Sequence, residues 1–236
     1  MRVNMNGEIK LYHGSSRVIK EPVFGKGNPK NDYGLGFYCT ESQELAKEWA
    51  CSAETDGFVN QYILDTRKLS ILDLSSGEYH ILNWFAILLQ NRTFRMGSDI
   101  AIRAKEYIKE HFLPDYEKYD VIKGYRADDS YFSFATAFLN NTISLVQLEK
   151  AMYLGKLGEQ VVLKSKKSFQ QLTFVESIIA DKTFYYPQKM ARDCFAREEF
   201  KREKSKIPAE QEIYMIDIMR ERWKNDDARL QRIILG

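Results

Sequence analysis

The sequence predicts an α+β protein. Three observations carry this: short strand-like segments are scattered among helical ones, neighbouring short segments are placed to pair antiparallel, and no internal repeat organises the chain. The first strand is expected at Ile9–His13, followed by a loop rich in Gly, Pro and Asn over Gly14–Gly34. Phe37–Thr40 reads as a strand that runs into a helix capped by Ser42, with Leu45, Trp49 and Ala53 sharing its apolar face. Val59–Asp65 alternates like a strand. Tyr79–Arg92 and Ile100–Phe112 have helical periodicity. A strand is expected at Tyr119–Tyr125, ended by Ala127-Asp128-Asp129, and helices at Ser130–Leu139 and Ser144–Leu154. Gln160–Lys164 and Leu172–Ile179 read as two further strands. From Phe184 the pattern turns helical and charged, and Pro208 divides this tail, with a second helix expected over Glu210–Ile234.

Length and charge bound the possibilities. The 236 residues suffice for one large domain with a helical appendage, here expected as 1–180 and 181–236. A net charge of +2 argues against binding nucleic acid by bulk charge, though not against a local basic groove. The longest apolar run, Trp84–Leu89, is too short to cross a bilayer, so no membrane association is expected. Met1–Lys10 lacks the apolar core of a signal peptide. Cys39, Cys51 and Cys194 have no metal-ligand spacing, and so sparse a set suggests a reducing compartment. The expectation is a cytoplasmic protein without a metal. Basic residues of the tail, such as Lys182, Lys189, Arg192 and Arg197, are interleaved with Asp193, Glu198 and Glu199. That pattern reads as a solvated helix before it reads as a nucleic-acid surface.

Three segments stand out together. Leu11-Tyr12-His13-Gly14-Ser15 is a strand ending in His-Gly-Ser. Asp32-Tyr33-Gly34-Leu35-Gly36-Phe37-Tyr38 leads into the helix that bears Trp49. Glu159-Gln160-Val161-Val162-Leu163 comes late in the chain. Each alone has an ordinary structural explanation: a satisfied histidine, a tight turn into a strand, a buried strand. Their order and spacing resemble the ADP-ribosyltransferase superfamily, in the His-Tyr-Glu branch that includes diphtheria toxin and the poly(ADP-ribose) polymerases. The resemblance covers roughly residues 9–180 and extends to a bacterial family of unknown function placed in that superfamily. It implies a split antiparallel sheet core flanked by helices, with residues 181–236 as a helical extension outside it. It further implies NAD⁺ as substrate, release of nicotinamide, and transfer of ADP-ribose to a macromolecular acceptor, either protein or nucleic acid. A toxin of a toxin–antitoxin or phage-defence system would fit.

By that resemblance His13 would hydrogen-bond the adenosine ribose, and Gly14 and Ser15 would hold the nicotinamide carboxamide. Asp32 and Gly36 would stand among the NAD⁺-binding residues. Tyr38 and Trp49 would wall the ring, because a flat heteroaromatic needs flat apolar partners. Cleavage passes through an oxocarbenium-like state, which a nearby carboxylate stabilises. The His-Tyr-Glu pattern selects Glu159 for that role, and the arginine-modifying branch selects Gln160. Adjacent strand residues point to opposite faces, so a regular strand cannot present both. The weaker stabilisation of a cation by a neutral amide favours Glu159; Gln160 in the cleft would fit a weak enzyme or an NAD⁺ or ADP-ribose binder. Asp32, Asp128 and Asp129 are secondary candidates, as loop or helix caps or as carboxylates near the acceptor. In the tail, Ile213, Ile216, Met219 and Trp223, then Leu230, Ile233 and Ile234, recur at helical spacing. They would pack on the chain's own core or dock a second copy or an antitoxin; because the resemblance ends near residue 180, a chain ending at Ser205 is expected to fold and keep its NAD⁺ chemistry but to lose self-association or partner binding.

Overall fold

The computed structural model describes residues 7–127, 131–153, 158–205 and 212–231. The observed class is α+β, with two small sheets among helices. In the first sheet, β1 (Glu8–Ser15) and β7 (Leu172–Ala180) flank β3 (Gly57–Asp65), all antiparallel. The second has the order β2 (Phe37–Cys39), β6 (Glu159–Leu163), β5 (Val121–Tyr125), β4 (Ile71–Asp73). Its pairs are antiparallel except β4 with β5, which is parallel. A bridge between Tyr12 and Thr40 joins the sheets.

β1 runs past the expected His13 to Ser15, paired with β3 along its whole length, so His-Gly-Ser lies within the ladder. Helix α1 (Gln43–Ala50) starts where expected: the Ser42 hydroxyl accepts from the Leu45 N–H at 3.3 Å. It stops before Ala53, because the Ser52 hydroxyl accepts from the N–H groups of Glu54 and Thr55 and folds the chain into a turn. α1 lies directly on β1. A Cβ on Gly14 would sit 2.1 Å from the Ala46 carbonyl oxygen, so only glycine permits this approach. Gly14 is therefore spent on packing the helix.

Helix α2 (Ile81–Asn91) is buried nearly all round, as its apolar composition demands, and centres the larger core. Helices α3 (Asp99–Phe112), α4 (Tyr131–Leu139) and α5 (Leu145–Tyr153) surround it. Short α6 (Lys166–Gln170) precedes β7; neither it nor β4 was expected from the sequence. Asp128 and Asp129 lie outside the described residues.

The tail departs most from expectation. Helix α7 (Lys182–Ser205) packs against α1. In place of one helix over Glu210–Ile234 there are α8 (Met215–Arg220) and α9 (Ala228–Gln231). Arg222 adopts φ 56°, a left-handed conformation that ends the helix. The buried residues are Met215, Ile218, Trp223 and Leu230, all part of the α2 core, while Ile216 is exposed. Further ties reinforce this: the Tyr107 hydroxyl donates to the Trp223 carbonyl, Asn83 donates to Asn225, and the Leu145 N–H donates to the Ile213 carbonyl. The last segment thus packs on its own core. This packing argues against the expectation that a chain ending at Ser205 would still fold.

Candidate functional site

Register decides which side chains meet. Tyr38 on β2 lies opposite Val162 on β6, and Gln160 lies opposite Gly124 on β5. Strand alternation therefore turns Tyr38, Val162 and Gln160 to one face, towards α2, and Cys39, Val161 and Glu159 to the other. Two separate grooves result.

The first is a cavity of about 490 Å³. Its apolar wall is Tyr38, Leu45 and Trp49, and its polar wall is Asp32 and Gln160, 128 positions apart in sequence. Arg92, Arg126, Lys189 and Arg192 bring positive charge, and Glu48 and Asp193 add carboxylates. The second groove holds Glu159 beside Lys10, Glu41 and Lys123. There the buried Lys123 ammonium sits 3.0 Å from Glu159, with Asp73 at 3.9 Å and Glu41 at 4.0 Å. The structure does not bring Glu159 together with Tyr38 and Trp49. The residue of the late strand that reaches them is Gln160.

Gln160 is locked to Asp32. Its amide Nε2 donates to Asp32 Oδ2 at 2.7 Å and to the Tyr125 carbonyl at 3.3 Å. The same Asp32 oxygen accepts from the Ala127 N–H at 3.0 Å, and Arg92 Nε stands 3.6 Å from Asp32 Oδ1. Burial pushes the Asp32 carboxyl above the usual carboxylate range, against the pull of the Ala127 N–H, Arg92 and the Gln160 amide. The carboxylate beside Gln160 in this cavity is therefore Asp32, in the turn before β2. Sequence reading ranked this residue second because a turn aspartate is so often a cap. Its partnership with Gln160 is invisible without the fold.

The Tyr38 ring is clamped. Its hydroxyl donates to the Gly34 carbonyl at 2.6 Å and accepts from the Tyr33 N–H at 3.1 Å. Burial and nearby Asp32 keep that phenol protonated, its pKa raised despite the Tyr33 N–H. Gly36 has a packing role: a Cβ there would meet Val162 at 2.6 Å, so glycine lets this chain lie against β6. Trp49 is half-buried. The Arg126 guanidinium covers its ring at 4.6 Å, and its indole N–H finds no acceptor among the described residues.

His13 does not line this cavity. Its Nδ1 is 2.7 Å from the Tyr38 carbonyl, which can only accept, so Nδ1 carries the proton and Nε2 is the acceptor. Burial lowers its pKa, against the Tyr38 carbonyl's upward pull, so the ring is neutral at pH 7. Ser15 donates to the Arg17 carbonyl at 2.5 Å and accepts from Asn60, which anchors the loop after β1. His13 and Ser15 thus brace the site's frame. Arg92, Arg126 and Glu48 were missed by sequence reading, since no local motif marks them. Among the described residues, no group of His, Cys, Asp or Glu has the arrangement of a metal site, and no helix is long and apolar enough to cross a membrane.

No curated protein and no solved structure matches the chain. A family model does match, over residues 9–174, a span that contains β1 from Ile9 onward, the whole Asp32–Tyr38 turn, α1 and β6. The chain belongs to the family described as a protein of unknown function, DUF3990.

Proposed function

We propose that the protein is an ADP-ribosyltransferase that takes NAD⁺ into the Tyr38–Trp49 cavity, releases nicotinamide and passes ADP-ribose to a macromolecular acceptor. The observation that carries this is the meeting, in one cavity, of two aromatic walls with the Asp32–Gln160 pair. The volume of about 490 Å³ is of the size that takes a ligand of this class. Tyr38 and Trp49 flank the nicotinamide ring, with Arg126 displaced from the indole face. Asp32 stabilises the oxocarbenium-like ribose as the glycosidic bond breaks, and Gln160 hydrogen-bonds a ribose hydroxyl. The electron pair of the broken bond returns to the nicotinamide ring, and an acceptor nucleophile, or water, bonds to the ribose carbon and releases its proton to solvent. Asp32 acts as an electrostatic partner in a dry site; the reaction needs no metal.

A neutral amide at position 160 also supports a second reading, an NAD⁺ or ADP-ribose binder without turnover. NAD⁺ labelled in the nicotinamide ring separates the two. Turnover predicts free nicotinamide from the intact chain and a loss of about 100-fold or more in Asp32→Asn, the scale of removing one preorganised electrostatic group. Binding without release selects the second reading. Asp32→Asn also tests the electrostatics. Because burial raises the folded-state pKa, the carboxyl contributes stability at low pH that is lost as pH rises through that raised value. The Asn variant is therefore expected to melt at or above the native temperature at pH 7 while losing activity. A variant both inactive and strongly destabilised at pH 7 would assign Asp32 a purely structural role.

A further inference from the structure

The cavity has a wall that the family match does not include. Lys189, Met190, Arg192 and Asp193 project into it from α7, which begins at Lys182, beyond the matched residues 9–174. This placement is held at three points. Asp56 accepts from the Lys182 N–H at 3.0 Å, the Lys47 ammonium donates to the Tyr185 hydroxyl at 2.9 Å, and Arg192 Nε donates to both carboxylate oxygens of Glu48 at 2.9 and 3.0 Å. Glu48 is buried while the Arg192 side chain is a third exposed, so the last contact joins tail and cavity at a site only partly shielded from water.

Among the described lining residues, cationic side chains outnumber carboxylates. Asp32 faces Arg92, Glu48 is matched by Arg192, and Asp193 is paired at 2.9 Å with Arg197 from outside the cavity. Among the described residues, four cationic side chains and three carboxylates line the space, and one of those carboxylates is paired with a residue outside it. Lys189 forms no ion pair among the described residues. Lys189 lines the same cavity as Arg126, whose guanidinium covers Trp49.

We propose that α7 completes the ligand site: Lys189, with Arg126, binds the diphosphate of a nucleotide ligand, and the Glu48–Arg192 pair positions the helix for it. This rests on the dinucleotide reading of the cavity and adds that the tail supplies its phosphate-binding part. A flexible ammonium at the cavity wall suits a doubly charged phosphate, whereas the aromatic side suits a ring.

Calorimetric titration of the full chain with ADP, inorganic pyrophosphate and nicotinamide tests this without any turnover. ADP and pyrophosphate are expected to bind the native chain with affinity that falls as salt rises. Lys189→Gln is expected to weaken both on the order of tenfold, Lys189→Arg to restore most of the loss, and nicotinamide binding to be equal in all three chains. A native chain that binds neither phosphate ligand overturns the proposal, as does a folded Lys189→Gln chain that binds them as the native one does. Equal weakening of ADP and nicotinamide would show that Lys189 only shapes the cavity, which also overturns it. Failure of the transferase reading looks different: ADP binding lost on Lys189→Gln, with no nicotinamide released from NAD⁺.

Discussion

Ending the chain at Ser205 is the perturbation with the clearest consequence. It removes Met215, Ile218, Trp223 and Leu230, each at most 2% exposed and all within the core built on α2. Burying a side chain of this size contributes about 1.5–3 kcal/mol, so the four together contribute about 6–12 kcal/mol, an upper range because the unfolded chain already buries some of this surface. A domain's whole stability is about 5–15 kcal/mol. The truncation also strips the buried Leu145 N–H of its acceptor on Ile213, at the start of α5. The expected result is a chain without a cooperative thermal transition and without the near-UV signal of packed aromatics. Circular dichroism and differential scanning calorimetry on the truncated and full chains provide the assay. A truncated chain that melts cooperatively within a few degrees of the full one would refute the core assignment of α8 and Trp223. It would instead revive the tail as a detachable partner-binding element.

Three smaller experiments probe the rest. Gln160→Ala is expected to cut nicotinamide release at least tenfold and Glu159→Gln less than twofold, since only Gln160 faces Asp32 and the aromatic wall; the reverse order would show that the second groove is the active one. Gly14→Ala is expected to cost several kcal/mol in chemical denaturation, on the scale of core overpacking, because its Cβ would fall 2.1 Å from the Ala46 carbonyl oxygen; native-like stability would mean that α1 can move off β1. Burial lowers the pKa of His80 from 6.5 to about 4. The folded state thus favours the neutral ring: this stability is complete above pH 6.5 and is lost as pH falls towards 4, by up to about 3 kcal/mol. A His80→Gln chain should show a flatter stability profile between those pH values, and an unchanged slope would assign the acid sensitivity to other groups.

The sequence by itself determined the class, most element positions and the residues of the cavity's aromatic wall. Apolar periodicity is local, so α1, α2, α3 and the strands around His13, Tyr38 and Val162 could be read before any fold was known. It also established that Glu159 and Gln160 could not share a face, because alternation is a property of any regular strand. Which of them reaches Tyr38 is a matter of pairing, and only the register of β2 and β5 against β6 decided it. The Asp32–Gln160 contact, 128 positions apart, and the arrival of Arg92, Arg126 and Lys189 in one cavity are likewise long-range outcomes with no local signature. The tail shows the limit from the other side. Its helical period was legible, and Trp223 and Leu230 lie on the expected apolar face, but Ile216 is exposed while Met215 and Ile218 are buried: Arg222 turns the chain through a left-handed conformation, and the surface that α2 and its neighbours leave open selects what is covered. Local periodicity reports what a segment can form; which face it buries depends on what the rest of the chain presents to it.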